Sequence, residues 1–194
     1  MDKELERLRD KLREIETEIE RKFEVHGAEM RYRIERNKAI FERGVLDQHR
    51  RIKVGLVQFL RRSSLPTLVT APAVYGLVIP LLALDFAVAA YQLICFPAWG
   101  IARIRRSDYI VIDRHRLAYL NGVQKLNCIY CGYANGLIAL VREVASRTEQ
   151  YWCPIRHARG IKGAHLRYDG FLTYGDAEGF RDRLEELRDE VRRL

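Results

Sequence analysis

Three of the four cysteines fall in two short runs, Asn127-Cys-Ile-Tyr-Cys-Gly132 and Tyr151-Trp-Cys-Pro-Ile-Arg-His157, the second of which ends on a histidine. As ligands these read Cys-x2-Cys-x21-Cys-x3-His, two closely spaced pairs of the thiolate and imidazole donors that bind tetrahedral zinc. A two-residue gap lets both sulfurs of a pair reach one ion, and Gly132 permits the tight turn of a metal knuckle. Cys128, Cys131, Cys153 and His157 are therefore the expected ligands, with zinc as the expected metal and iron on the same thiolates as the alternative. Four protein ligands leave no open position for substrate, so such a zinc is structural and the reading leans away from an enzyme. An enzyme with Glu143, Glu149 and His157 near the metal is a third reading.

That chemistry depends on what lies between the pairs. A full helix from Leu137 to Gln150 would be about 21 Å long and would hold them at opposite ends. The site closes within one chain only if the helix is nearer ten residues; otherwise the pairs meet across a subunit interface. Two other uses of the thiols stay open: small buried side chains among Tyr130, Tyr133, Tyr151 and Trp152, or a redox pair, although no βαβ pattern of thioredoxin type surrounds it. His165, beyond the Gly160-Ile-Lys-Gly163 loop, is the substitute for His157. His26, His49 and His115 read as surface residues and Cys95 as a packing residue. Glu143 and Glu149 are six apart, on different faces of a helix, and do not form a carboxylate pair. No Gly-rich phosphate loop, Ser-His-Asp order or zinc-protease motif is present.

The elements that must position these residues are set by a membrane. Between Ser63 and Ala102 the only charged side chain is Asp85, and arginines bracket the run: Arg61 and Arg62 before it, Arg103, Arg105 and Arg106 after it. A spanning helix takes about 20 apolar residues, and arginine gathers on the cytoplasmic side. Equal brackets therefore predict a helical hairpin, transmembrane or re-entrant, with Pro80 to Asp85 at its tip and both termini cytoplasmic. The formal charge of +8 concentrates beside the membrane, where it attracts anionic lipid headgroups. The lipid bilayer is the expected partner, and nucleic acid is not expected.

The flanks read as helical. Leu5, Leu8, Leu12, Ile15 and Ile19 form a coiled-coil seam, continued by Phe23, Met30, Ile34 and Phe41 in one helix to about residue 43, with a break at Gly44. Tyr109–Asp113 reads as a strand, Leu117–Leu120 as its partner and Asn121-Gly122 as a turn. A helix opens at Asn135-Gly136. Asp176 is the expected N-cap of a last helix whose Phe180, Leu184, Leu187, Val191 and Leu194 make a second seam. Neither seam can be buried by its helix alone, which predicts a homo-oligomer. The divisions are residues 1–47 (coiled-coil helix), 48–62 (basic juxtamembrane segment), 63–102 (membrane hairpin), 103–175 (metal module) and 176–194 (amphipathic helix). The fold class is mainly α, with a small α+β cytoplasmic metal module.

The stretch from Leu120-Asn-Gly through Cys128-Ile-Tyr-Cys-Gly-Tyr-Ala-Asn-Gly136 to Arg147-Thr-Glu-Gln-Tyr-Trp-Cys-Pro-Ile-Arg-His-Ala158 resembles a group of uncharacterised bacterial membrane-anchored proteins. That resemblance implies a host class, and with it a bacterial inner membrane, and no mechanism. The architecture is also similar to lunapark-type membrane-shaping proteins, which join a coiled coil, a membrane hairpin and a cytoplasmic zinc finger. Here Cys153 and His157 stand where that finger has a second cysteine pair. The expected function is an oligomeric membrane-anchored scaffold or membrane-organising protein with structural zinc. The alternative is a membrane-bound redox or electron-transfer protein using iron.

Overall fold

The computed structural model describes residues 43–194 without interruption, and before them residues 7, 10, 11, 13–19, 21, 22, 25, 32–35 and 38–41. The protein is mainly α-helical. It divides into two compact units, Met1–Leu60 with His115–Lys125, and Arg61–Arg114 with Leu126–Leu194.

In the first unit the described residues between 7 and 25 are helical, and Ile15 and Ile19 of the expected seam are exposed. Leu5, Leu8, Leu12, Phe23 and Met30 lie outside the described residues. The helix does not extend to residue 43. Strands β1 (Tyr32–Glu35) and β2 (Lys38–Phe41) pair antiparallel there, Tyr32 opposite Phe41 and Glu35 opposite Lys38. Tyr, Ile and Phe favour extended chain, and the Ile34–Phe41 spacing that fits a helical stripe also fits two short strands. Helix α1 (Arg43–Arg51) contains Gly44, so the break falls later, before α2 (Leu56–Arg62). The His49 ring lies edge-on between Phe41 and Tyr119, at 5.3 and 5.1 Å.

The second unit is built on an apolar rod. Ser64 caps α3 (Leu65–Gly76), accepting from the Thr67 N–H at 3.4 Å, and Pro66 sits in the first turn, where a missing N–H costs nothing. Helix α4 (Val78–Trp99) follows after Leu77, whose φ of −63° is itself helical. The interruption has a local cause: Pro80 cannot donate to Gly76, four residues earlier, and its ring crowds that carbonyl. Leu65–Trp99 is thus one 35-residue stretch, the one helix among the described residues long and apolar enough to cross a membrane. This corrects the hairpin. Pro80 to Asp85 lie inside α4 and the chain does not reverse there; the symmetric arginine brackets fixed where charge lies and not the path between. The reversal comes at Gly100, whose φ of +74° closes a Schellman motif with Gly100 N–H to Pro97 O at 3.2 Å and Ile101 N–H to Phe96 O at 2.8 Å.

Residues 109–113 then run back without forming a strand. They lie against α5 (Gly122–Trp152, 31 residues). A Cβ on Gly136 would sit 2.6 Å from the Tyr109 carbonyl and 2.8 Å from Ile110 Cα, and one on Gly132 3.1 Å from the Val111 carbonyl. The Ile110-Val-Ile run is used for packing on a helix and not for a ladder. Only an isolated parallel bridge, Ile155 with Leu172, is strand-like after residue 103, so the α+β module is not formed as expected. Asn121-Gly122 is no turn either. Asn121 Oδ1 accepts from the Gln124 N–H at 3.0 Å while Gln124 Oε1 accepts from the Asn121 N–H at 2.9 Å, a reciprocal capping box that starts α5 there.

Helices α4 and α5 run in the same direction, since Tyr133 meets Asp85, Thr148 meets Tyr91 and Tyr151 stacks on Trp99. Helix α6 (Ala177–Arg192) is capped by Asp176, as expected, which accepts from Gly179 N–H at 2.8 Å. Its seam is used within the unit: Leu187 and Val191 are buried, and Val191 joins Phe96, Ile101, Leu140 and Val144 in the core. Burying each such side chain contributes about 1.5–3 kcal/mol.

Candidate functional site

The rod is apolar on all sides, yet Tyr75, Asp85 and Gln92 lie on one seam, while the exposed Thr70 donates to the Pro66 carbonyl of its own helix at 2.8 Å. Ala71, Tyr75, Val78, Leu81, Asp85, Val88, Gln92, Phe96 and Trp99 recur at three and four residues and are the less exposed positions, while Ile79, Phe86 and Ile94 are about 70–80% exposed. Asp85 is buried and pairs with Arg106, and its second oxygen accepts from Tyr133 Oη at 2.9 Å. Gln92, 7% exposed, accepts the Ile104 N–H on Oε1 at 2.9 Å. Tyr75 donates to Asn127 and meets Tyr130 edge-on. Asp85, expected at the tip of the hairpin, is instead the anchor for the returning chain. Arg106 is held above its usual pKa, first by the hydrogen bond to Asp85.

The four expected metal ligands are not brought together within one chain. Cys128 and Cys131 lie on α5 one turn apart, half-buried and exposed, and Cys153 follows its last turn. About 33 Å of helix axis separates Cys131 from Cys153 at a rise of 1.5 Å per residue. The helix is longer than the one that already made closure difficult, because it starts at the Asn121 cap and passes through Asn135-Gly136. Cys153 lies at an apolar groove of about 580 Å³ beside Val88, Val141 and Trp152. His157 is taken up locally: its backbone N–H donates to Tyr168 Oη at 2.6 Å, and that hydroxyl lies 2.9 Å from His157 Nδ1. His165 is held elsewhere, with Nε2 at 2.9 Å from Glu149. Among the described residues no three His, Cys, Asp or Glu side chains are grouped so as to hold a metal ion.

A polar cluster absent from the sequence reading lies on the second half of α5. Glu143 accepts from Arg147 Nε at 2.9 Å and from Arg167, all three side chains being at least four-fifths buried. Burial pushes the Glu143 carboxyl up, but hydrogen bonds from Arg147 and Arg167, with their charges, outweigh it and hold it below its ordinary value. Arg142 donates to the carbonyls of Gly163 and Ala164, and these two bonds, with His165 on Glu149 and Arg167 on Glu143, pin the 153–170 segment onto α5. The Glu143–Arg147 spacing of four was the available signal; nothing local pointed to Arg167. Glu143 and Glu149 have separate partners, in keeping with their six-residue spacing. Comparison with protein-family models, curated proteins and solved structures finds no match to this chain.

Proposed function

We propose that the chain is a membrane-anchored scaffold whose rod, Leu65–Trp99, is seated sideways in one leaflet with its folded body toward water. The observation that carries this is the rod's asymmetry. Only 6% of its most apolar window is buried, and every buried residue on it, Asp85, Gln92 and Phe96, faces the body. A helix apolar all round needs cover that water cannot supply. The body accompanies it from Tyr75 to Trp99 with charged Arg106 and polar Asn127 among the contacts, and such groups do not belong in hydrocarbon on a lipid-facing side. Seated this way, both soluble flanks lie on one face, the cytoplasmic face of a bacterial inner membrane in the family resemblance. Self-association is part of the reading; it is not carried by the Leu187 and Val191 positions of α6, which are buried within the unit, whereas Ile15 and Ile19 of the first seam are exposed. A zinc or iron ion at Cys128 and Cys131 would draw its other ligands from a second chain.

Epitope tags placed before residue 7 and after residue 194, with protease added to sealed vesicles, test the seating. Equal accessibility of both tags is expected; opposite accessibility would show a crossing helix and end the sideways reading.

A further inference from the structure

Beside the Asp85 anchor, a groove of about 350 Å³ opens between α4 and the returning chain, lined by Asp85, Gln92, Arg103, Arg105, Arg106 and Leu140. We infer that it is a binding site for the phosphate of an anionic phospholipid headgroup, an assignment that rests on the membrane seating proposed above. Three features converge. Arg103 and Arg105 are exposed and, among the described residues, have no hydrogen-bond or ion-pair partner, while Arg106 spends one side on Asp85. The groove therefore carries an excess of two positive charges, in the planar fork geometry that suits phosphate oxygens. Gln92 is 7% exposed, and its Oε1 is committed to the Ile104 N–H; its Nε2, with no partner among the described residues, is left as a donor in the groove wall.

The fourth side of the groove is the apolar rod. Ala89 lines it, and Phe86 and Leu93 are exposed on the same helix. A soluble anion makes no use of that surface, whereas a phospholipid lays its acyl chains along it while the arginines hold the headgroup. The arginines that follow the rod thus form a specific site and do more than adhere to a charged surface.

The test uses the full chain purified in detergent and titrated with phosphatidylglycerol, with retained lipid counted by native mass spectrometry. Wild type should bind saturably. Arg103→Gln with Arg105→Gln should weaken binding roughly tenfold to thirtyfold, with an unchanged helical spectrum because neither side chain supports the fold. Arg61→Gln with Arg62→Gln, at the other end of the rod, should stay within about twofold. Equal weakening by both pairs, or none by the first, overturns the groove while leaving the membrane reading intact. Displacement of the lipid by millimolar inorganic phosphate overturns the lipid assignment. Failure of wild type to partition into phosphatidylcholine vesicles would overturn the seating itself, an outcome separate from the other two.

Discussion

From Leu65 to Gly76 no residue of the rod is buried, whereas between Asp85 and Trp99 three are, and one of them, Phe96, is completely enclosed. In composition the two stretches differ little. What separates them is the pattern of exceptions: Asp85 and Gln92 interrupt the second and both face the body, where Arg106, Tyr133 and the Ile104 N–H satisfy them. Hydropathy marks what must leave water and does not say whether lipid or protein receives it. Asp85 and Gln92 do say so, because neither is satisfied by its own helix, as the exposed Thr70 is by the Pro66 carbonyl, and each needs a partner that lipid lacks.

The sharpest way to break this contrast is to remove an apolar side chain from each stretch. Phe96→Ala should cost about 3–5 kcal/mol, since the cavity opens in a core shared with Ile101, Leu140, Val144 and Val191. Val69→Ala, at a position 69% exposed, should stay within about 0.5 kcal/mol. Thermal unfolding of both in the same detergent measures the difference, and similar losses would mean that the two stretches are not used differently.

Charge sharpens the same contrast on the body side. Glu143→Gln leaves Arg147 and Arg167 facing each other without the anion between them, at a cost of about 2–3 kcal/mol. The sign with pH follows from a carboxyl held below its ordinary value. Glu143 stabilises fully above the unfolded carboxylate range, and that contribution is lost as pH falls through the lower folded value. Wild type should therefore loosen on acidification, and Glu143→Gln should lose less over the same interval. Identical acid profiles would assign the loss to other groups.

A smaller effect separates two glycines. Gly136→Ala brings a Cβ to 2.6 Å from the Tyr109 carbonyl, and displacing backbone there should cost about 1–2 kcal/mol even after the helix-propensity gain. Gly76→Ala, with nothing within 4 Å, should be neutral or stabilising by up to about 1 kcal/mol. If both are neutral in thermal melts, the returning segment is not held against α5 as closely as the backbone contact requires.

How far the sequence was legible follows these same distinctions. The rod's limits and the Asp176 cap could be read because each has a local cause, a charge-free run or a side chain bonding three residues on. The path of the rod could not. Both a hairpin and a straight helix satisfy symmetric arginines, and the choice lies in the helical φ and ψ at Leu77 and the contacts of Asp85. Asn121-Gly-Val-Gln124 holds a capping box, but Asn-Gly is also a turn signal, and the dipeptide by itself points to the turn where the four-residue pattern points to a helix start. The long α5 then holds the Cys128–Cys131 pair apart from Cys153 and His157. Gly132, Asn135 and Gly136 look like helix breakers, yet Asn135 donates to the Cys131 carbonyl at 2.9 Å and the glycines admit the returning backbone. Tertiary packing outweighed propensity, and no local window shows that.

The smallest expected effect is at the cysteines, and it is the one that decides whether α5 has a chemical use beyond packing. Cys131 is exposed, and neither it nor Cys128 forms a disulfide. Cys131→Ser in metal-free protein should change stability by less than about 0.5 kcal/mol. If two chains bring their Cys128–Cys131 pairs together on a zinc ion, metal should raise the melting temperature of wild type and not of Cys128→Ser with Cys131→Ser, since binding free energy adds to folding free energy. The stoichiometry should then be one zinc per two chains, and Cys153→Ser and His157→Ala should keep it, because helix α5 holds them too far away to share the ion. One zinc per chain, lost in Cys153→Ser as well, would require α5 to break between the pairs and would reverse the conclusion drawn from its length. No metal in any preparation would leave Cys128 and Cys131 as packing thiols beside Tyr130 and Tyr133, and the contrast along the rod would stand without them.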